Sequence, residues 1–150
     1  ERQSDFMEYS VDEANGQPFM NLYISKVDVS KASKTKAFSN KINTNYHDGP
    51  VNFSADGKTL MFTRVNYKTN SKEKNFVNRA KIYFATGEGT KWKDIKEFEH
   101  NSDKYSVAHP CLSNDGNTLF FTSDMPGGQG GKDCRRQTLW PSFDRTTLHQ

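Results

Sequence analysis

Phe53-Ser54-Ala55-Asp56-Gly57-Lys58-Thr59-Leu60-Met61-Phe62-Thr63 returns fifty-nine residues later as Leu112-Ser113-Asn114-Asp115-Gly116-Asn117-Thr118-Leu119-Phe120-Phe121-Thr122, with seven of eleven positions identical. Fidelity at that spacing means one supersecondary unit used more than once. In both copies Ser stands first and Gly fourth, as a type I turn prefers, so each marks a hairpin corner. Beyond the corner the pleat puts Leu60 and Phe62 on one face and Met61 and Thr63 on the other; Leu119, Phe121, Phe120 and Thr122 follow the same scheme. Apolar or small residues on both faces predict an inner strand held between two sheets.

Outward from this core the match continues. Asn21-Leu22-Tyr23-Ile24-Ser25 aligns with Lys81-Ile82-Tyr83-Phe84-Ala85 at an offset of sixty, and Lys36-Ala37-Phe38 with Lys96-Glu97-Phe98. One residue deleted between Phe98 and Tyr105 reconciles sixty with fifty-nine. β-branched and aromatic types mark pleated, buried strands. The expected unit is therefore four antiparallel strands, near residues 51–53, 60–65, 81–85 and 94–98. Trp92, Ile95 and Phe98 are three apart, a helical interval, so Trp92 is read as packing from the turn before the last strand. Four antiparallel strands per repeat, stacked face to face, form a propeller blade. The fold class expected is all-β, a partial β-propeller of four-stranded antiparallel blades with one complete blade over residues 46–98. Incomplete blades flank it, giving blades at about 1–43, 44–101 and 102–133. Three partial sheets cannot close a ring, so exposed strand edges are expected unless further blades or another chain cover them.

Composition narrows the function classes. The chain has 150 residues, 33% of them hydrophobic, with eleven Phe, six Tyr and two Trp, enough large side chains for a core despite the low mean hydropathy of -0.92. Its 21 basic and 18 acidic residues are scattered along the chain, so the net charge of +3 describes no groove for phosphates and nucleic acid is not an expected partner. No run of eighteen apolar residues is present to cross a bilayer as a helix. Glu1-Arg2-Gln3-Ser4-Asp5 lacks the basic and apolar regions of a secretory signal, as in a cytosolic protein or the interior of a longer precursor. Cys111 and Cys134 fit neither a disulfide framework nor zinc spacing and are read as free structural thiols, although pairing remains open to them.

Residues 46–64, beginning Tyr46-His47-Asp48-Gly49-Pro50, resemble the WD40-like propeller repeat of the TolB type. So do residues 105–116, followed by Ser123-Asp124-Met125-Pro126-Gly127-Gly128-Gln129-Gly130-Gly131-Lys132-Asp133. The resemblance runs over about residues 17–133, and the pairing of His-Asp-Gly-Pro with Met-Pro-Gly-Gly carries its specificity. It is closest to envelope proteins that join tetratricopeptide repeats, such a propeller and an OmpA-like peptidoglycan-binding domain, some linked to type IX secretion. It implies a non-enzymatic interaction or scaffold module in the periplasm, associated with the outer membrane. Its partners would be other envelope proteins, with peptidoglycan bound only through a domain outside this chain. Ala55 and Asn114 replace the family's Pro and remain compatible with the turn. From Cys134 the chain departs further. Where a strand matching Ile82-Tyr83 is expected it reads Cys134-Arg135-Arg136-Gln137-Thr138-Leu139-Trp140-Pro141, so residues 134–150 are expected to be foreign to the repeat, as after a frame change or truncation.

Few residues point to chemistry. Gly127-Gly128-Gln129-Gly130-Gly131-Lys132 lacks the P-loop spacing and a following helix, and reads as a hairpin tip whose glycines permit positive φ. His47, Asp48, His109, Asp124 and Asp133 are the candidate binding residues, placed at the mouth of the propeller. Repeat position favours structural work at both histidines: Ser106 stands where His47 does, and Pro50 where His109 does. The basic segment 68–74, with Arg79 and Lys81, reads as a solvated loop between two strands, open to an acidic partner. No nucleophile elbow, zinc-protease motif or cysteine cluster is present, so no catalytic residue, metal or cofactor is expected. The alternative is a propeller accompanying a peptidase or glycosidase domain. A glycosidase would need paired carboxylates, for which Asp48, Asp124 and Asp133 are the candidates.

Overall fold

The computed structural model describes residues 11–12, 16–65, 77–127 and the strand at 136–140. The described residues are all-β, with antiparallel sheets and no helix. The central sheet is a four-stranded meander of β5 (Asp48–Phe53), β6 (Thr59–Val65), β7 (Ala80–Glu88) and β8 (Lys91–Glu97), in sequence order. These are the four strands expected from the repeat.

Before it, β1 (Tyr23–Ile24) pairs with β4 (Lys36–Ala37), enclosing the short hairpin of β2 (Val27–Asp28) and β3 (Lys31–Ala32). These pieces reproduce the second half of the central sheet. Tyr23 opposes Ala37 and Ile24 opposes Lys36, as Tyr83 opposes Glu97 and Phe84 opposes Lys96. Val27 opposes Ala32 and Asp28 opposes Lys31, as Gly87 opposes Trp92 and Glu88 opposes Lys91. Every pair sits at an offset of sixty.

After it, β9 (Val107–Leu112), β10 (Leu119–Ser123) and β11 (Arg136–Trp140) form the third sheet. Its corner is the central corner over again. Ser54 and Ser113 each donate N–H to a Thr carbonyl, Thr59 or Thr118, and accept from that Thr's N–H through Oγ. Each Ser Oγ also reaches the carboxylate two residues on, Asp56 or Asp115, at 2.5 Å. Gly57 and Gly116 close the turns at φ 68° and 73°, the region that favours glycine.

The faces divide as the pleat predicts. Leu60 and Phe62 join Phe38, Ile42, Tyr83 and Trp92, so they pack toward the first sheet; Met61 joins Ile82, Phe84, Phe98, Leu119 and Phe121, toward the third. Leu60, Met61 and Phe62 are all fully buried. Each is worth about 1.5–3 kcal/mol of apolar burial, so β6 is the spine of a stack whose two cores lie on its two sides.

Four particulars differ from the sequence reading. The leading strand starts at Asp48 rather than 51, because Gly49 and Pro50 form a bulge where β5 spends one residue more than β6. The last strand spans Lys91–Glu97, so Trp92 lies within the strand and not on a preceding turn. A bulge explains the helical-looking interval: β8 spends three residues (93 to 96) against two of β7 (86 to 84), with Asp94 at φ 51°. That extra residue keeps Trp92 and Ile95 on one face at a spacing of three and sends Phe98 to the other core.

The third difference is the loop between repeats. Asn43 accepts from Leu22 N–H and donates to its carbonyl, and Asn101 does the same to Ile82. Phe38 and Phe98 N–H groups donate to those same two carbonyls. From Phe to Asn the second copy is two residues shorter, and from Asn to Tyr one residue longer, so the single deletion is the net of two changes.

The fourth concerns the tail. Residues 136–140 were expected to stand outside the repeat, and β11 pairs antiparallel with β10 from Leu119–Trp140 to Ser123–Arg136, on the side of β10 away from β9. Pairing along a strand edge is made by backbone groups, and Arg136-Gln137-Thr138-Leu139-Trp140 contains no Pro or Gly to break it. The rest of 134–150 lies outside the described residues.

Candidate functional site

The five candidate residues do not converge. His47 and Asp48 form one structural knot, His109 and Asp124 line a cavity elsewhere, and Asp133 lies outside the described residues.

The knot ties the N-terminal segment and the turn after β4 to the central sheet. His47 accepts the Met20 N–H through Nδ1 at 3.1 Å, and its Nε2 lies 3.2 Å from Asp12 Oδ2. Phe19 packs edge-on against the imidazole with ring centres 4.9 Å apart. Asp48 is 1% exposed. Its Oδ1 accepts from Arg64 Nε at 2.7 Å, while Oδ2 accepts from the Thr44 N–H at 2.5 Å and the Thr44 hydroxyl at 2.7 Å. Arg64 faces Asp48 across the β5–β6 ladder, donates to the Ile42 carbonyl at 2.6 Å and lies 5.0 and 5.3 Å from the Phe62 and Tyr83 ring centres. A carboxylate offers about four lone-pair directions, and in this buried site three donors occupy three of them. Asp48 therefore ties β5 to β6 and to the turn after β4.

The cavity is about 330 Å3 and opens where β7 and β9 begin and β10 ends. Ala80, Ser106, Ala108, His109, Ser123 and Asp124 are among its lining residues. Asp124 Oδ1 accepts the Ser106 N–H at 2.5 Å, and Oδ2 lies 3.5 Å from Arg79 Nη1. Ser123 donates its hydroxyl to the Ser106 carbonyl at 2.7 Å, so the rim is fixed by short-range bonds. His109 occupies the bulge of β9, at φ 57°, a backbone state uncommon outside glycine. Its N–H is held by Thr63 Oγ1 of the central sheet at 2.9 Å, and its side chain is exposed. The cavity thus offers an imidazole, hydroxyls and a carboxylate partly neutralised by an arginine. Such a set suits hydrogen bonding to polar groups of a partner.

Family models, curated proteins and solved structures yield no match to this chain.

The geometry at the cavity stands on its own residues. The His109 ring makes no hydrogen bond among the described residues, so no nucleophile is paired with it there. No group of three or more metal-ligating side chains occurs among the described residues. Arg79, Ser106, Ser123 and Thr63 were not singled out as site residues from sequence; the strand ends they occupy bring them together through pairings 17 to 46 residues apart. Arg79 and Lys81 were read as part of a solvated basic loop. Their side chains are instead 27% and 14% exposed, with Arg79 on Asp124 and Lys81 Nζ 2.9 Å from Asp103. Residues 68–74 and 128–133 lie outside the described residues. Cys111 is an exposed free thiol, in line with the expectation for it.

Proposed function

We propose that this chain is a stretch of a WD40-like, TolB-type β-propeller that serves as a non-enzymatic protein-interaction scaffold in a bacterial cell envelope. The observation that carries the reading is the duplicated corner. The Ser-x-Asp-Gly turn recurs at fifty-nine residues with the same hydrogen bonds, and the strand pairings recur at sixty. Units that stack by burying a face on each neighbour are the building principle of propellers and solenoids. The placement in the periplasm, beside the outer membrane and among other envelope proteins, rests on the residue-level resemblance of 46–64 and 105–133. Peptidoglycan attachment would reside outside this chain.

In this reading the loops and strand ends around His109 and Asp124 form the contact surface, because the site offers polar recognition without a paired nucleophile or a metal cluster. The test is capture of envelope proteins on the immobilised chain, followed by direct binding of each purified candidate. A partner whose affinity falls about tenfold or more when His109→Ala and Asp124→Ala are combined supports the reading, since two well-placed polar contacts are worth at least that. Turnover of peptide or glycoside substrates by the purified chain, abolished by the same pair of substitutions, would overturn it.

A further inference from the structure

A second surface lies at β4 and β8 and shares no lining residue with the cavity beside His109. A groove of about 660 Å3 runs between the last strands of the first and central sheets, β4 and β8. Lys36, Lys41, Lys91 and Lys93 line it, and among the described residues its lining includes no acidic one. Three less exposed cations outside the groove are paired, Arg64 with Asp48, Lys81 with Asp103 and Arg79 with Asp124. Among the described residues Lys36, Lys41 and Lys91 make no ion pair, and Lys93 has only a 3.8 Å contact to its exposed neighbour Asp94. Four cations from three elements around one cavity, with no anion among the described lining residues, give it a positive potential.

The floor is apolar. Ile24, Ala37, Phe38 and Trp92 form it, the two aromatic rings lying 6.0 Å apart and less than a tenth exposed. Rings so covered cannot stack on nucleobases, which argues against a nucleic acid. Lysines are point charges on flexible stems, and spread over a cavity of this size they suit several carboxylates in a row better than one phosphate. β8 is the end strand of its sheet, so its outward backbone groups can pair with an added extended segment.

Lysines on an end strand also guard against edge-to-edge aggregation. Guarding accounts for Lys91 and Lys93 on β8, yet Lys41 stands on the turn after β4 and still faces the same groove. We propose that this groove binds an extended acidic segment of a partner protein, its carboxylates on the four lysines and a small apolar side chain on the Ile24–Ala37 floor. The inference rests on the reading of the chain as a protein-binding module and adds a second contact surface to it.

The experiment is fluorescence anisotropy of the full chain with a labelled peptide of alternating Glu and Ala and a central Leu. Saturable binding that weakens as salt rises is expected. Combined Lys36→Glu, Lys41→Glu, Lys91→Glu and Lys93→Glu should weaken it by about tenfold or more, given the several exposed charge contacts removed and reversed. The four Lys→Gln changes should weaken it less, with an unaltered near-ultraviolet circular dichroism spectrum showing that both variants are folded. His109→Ala with Asp124→Ala should leave peptide binding unchanged, so failure at the groove and failure at the cavity are told apart. Equal binding by the reversed variant, no saturable binding at low salt, or complete displacement of the peptide by inorganic polyphosphate or anionic vesicles at equal charge would each overturn the inference. So would reversal that only makes the chain self-associate, the result expected of edge guards.

Discussion

Removing the Asp48 carboxylate is the perturbation whose size the structure specifies best. Asp48 is fully enclosed, with Arg64 Nε at 2.7 Å on one oxygen and two Thr44 donors on the other. Asp48→Ala leaves a guanidinium whose side chain is only 13% exposed without its anion, and strands the Thr44 N–H. Deleting one partner of a buried pair costs about 3–5 kcal/mol. At a urea dependence of about 2 kcal/mol per molar, the unfolding midpoint should drop by roughly 2 M. Asp48→Asn keeps the shape but turns an amide N–H toward existing donors, and should cost about half as much. Arg64→Met combined with Asp48→Ala should recover about 2 kcal/mol relative to the sum of the single changes, because no charge is left unpaired. Urea titrations followed by tryptophan fluorescence read all four variants. An unfolding free energy for Asp48→Ala within about 0.5 kcal/mol of the parent's, the scatter of surface substitutions, would refute the reasoning.

Other perturbations separate local causes. Gly57→Ala meets open space but sits at φ 68°, so it should lose about 1–2 kcal/mol from backbone strain alone. At Gly87 an added Cβ would fall 2.1 Å from the Lys91 carbonyl oxygen and 2.9 Å from Trp92 Cα, so Gly87→Ala should destabilise clearly more than Gly57→Ala in the same denaturation assay. Asn43→Ala and Asn101→Ala each strand one backbone N–H and take one of two donors from a carbonyl; each should cost about 1–3 kcal/mol, with faster amide exchange at Leu22 or Ile82 respectively. The Ser113 hydroxyl and then the Asn117 N–H bond Asp115 and hold its carboxyl below the usual Asp value. A lowered folded-state value adds stability above the unfolded value and loses it as pH falls through the folded one. NMR titration should therefore place the Asp115 midpoint below that of an unfolded Asp, and Ser113→Ala should raise it.

What the sequence disclosed depended on whether a feature repeats. Leu60, Phe62, Leu119 and Phe121 declared their faces by alternation, and the stacked cores follow them residue for residue. The last strand was harder because a bulge at Asp94 breaks the alternation, giving Trp92 and Ile95 a spacing that imitates a helix. Asn43 and Asn101 do one job, but compensating length changes on either side hide their equivalence from any single offset. The candidate site was less legible still. His47 and Asp48 stood out by residue type, while the groups they bond, Asp12, Met20 and Arg64, lie 16 to 35 positions away. His109 and Asp124 were named without a reason to meet; the β9–β10 pairing supplies it. The groove lysines were missed because they belong to two different repeats and meet only when sheets stack.

The central claim is that a unit of fifty-nine to sixty residues recurs as stacked antiparallel sheets, with β6 between two cores. Nuclear Overhauser contacts from its side chains test this most directly. Leu60 and Phe62 should show contacts to Ile42 and Phe38, and Met61 to Leu119 and Phe121, while the amides across Tyr23–Ala37 and Tyr83–Glu97 repeat one pairing pattern. Contacts joining Leu60 and Met61 to the same neighbours, or a different register in the two pairs, would contradict it.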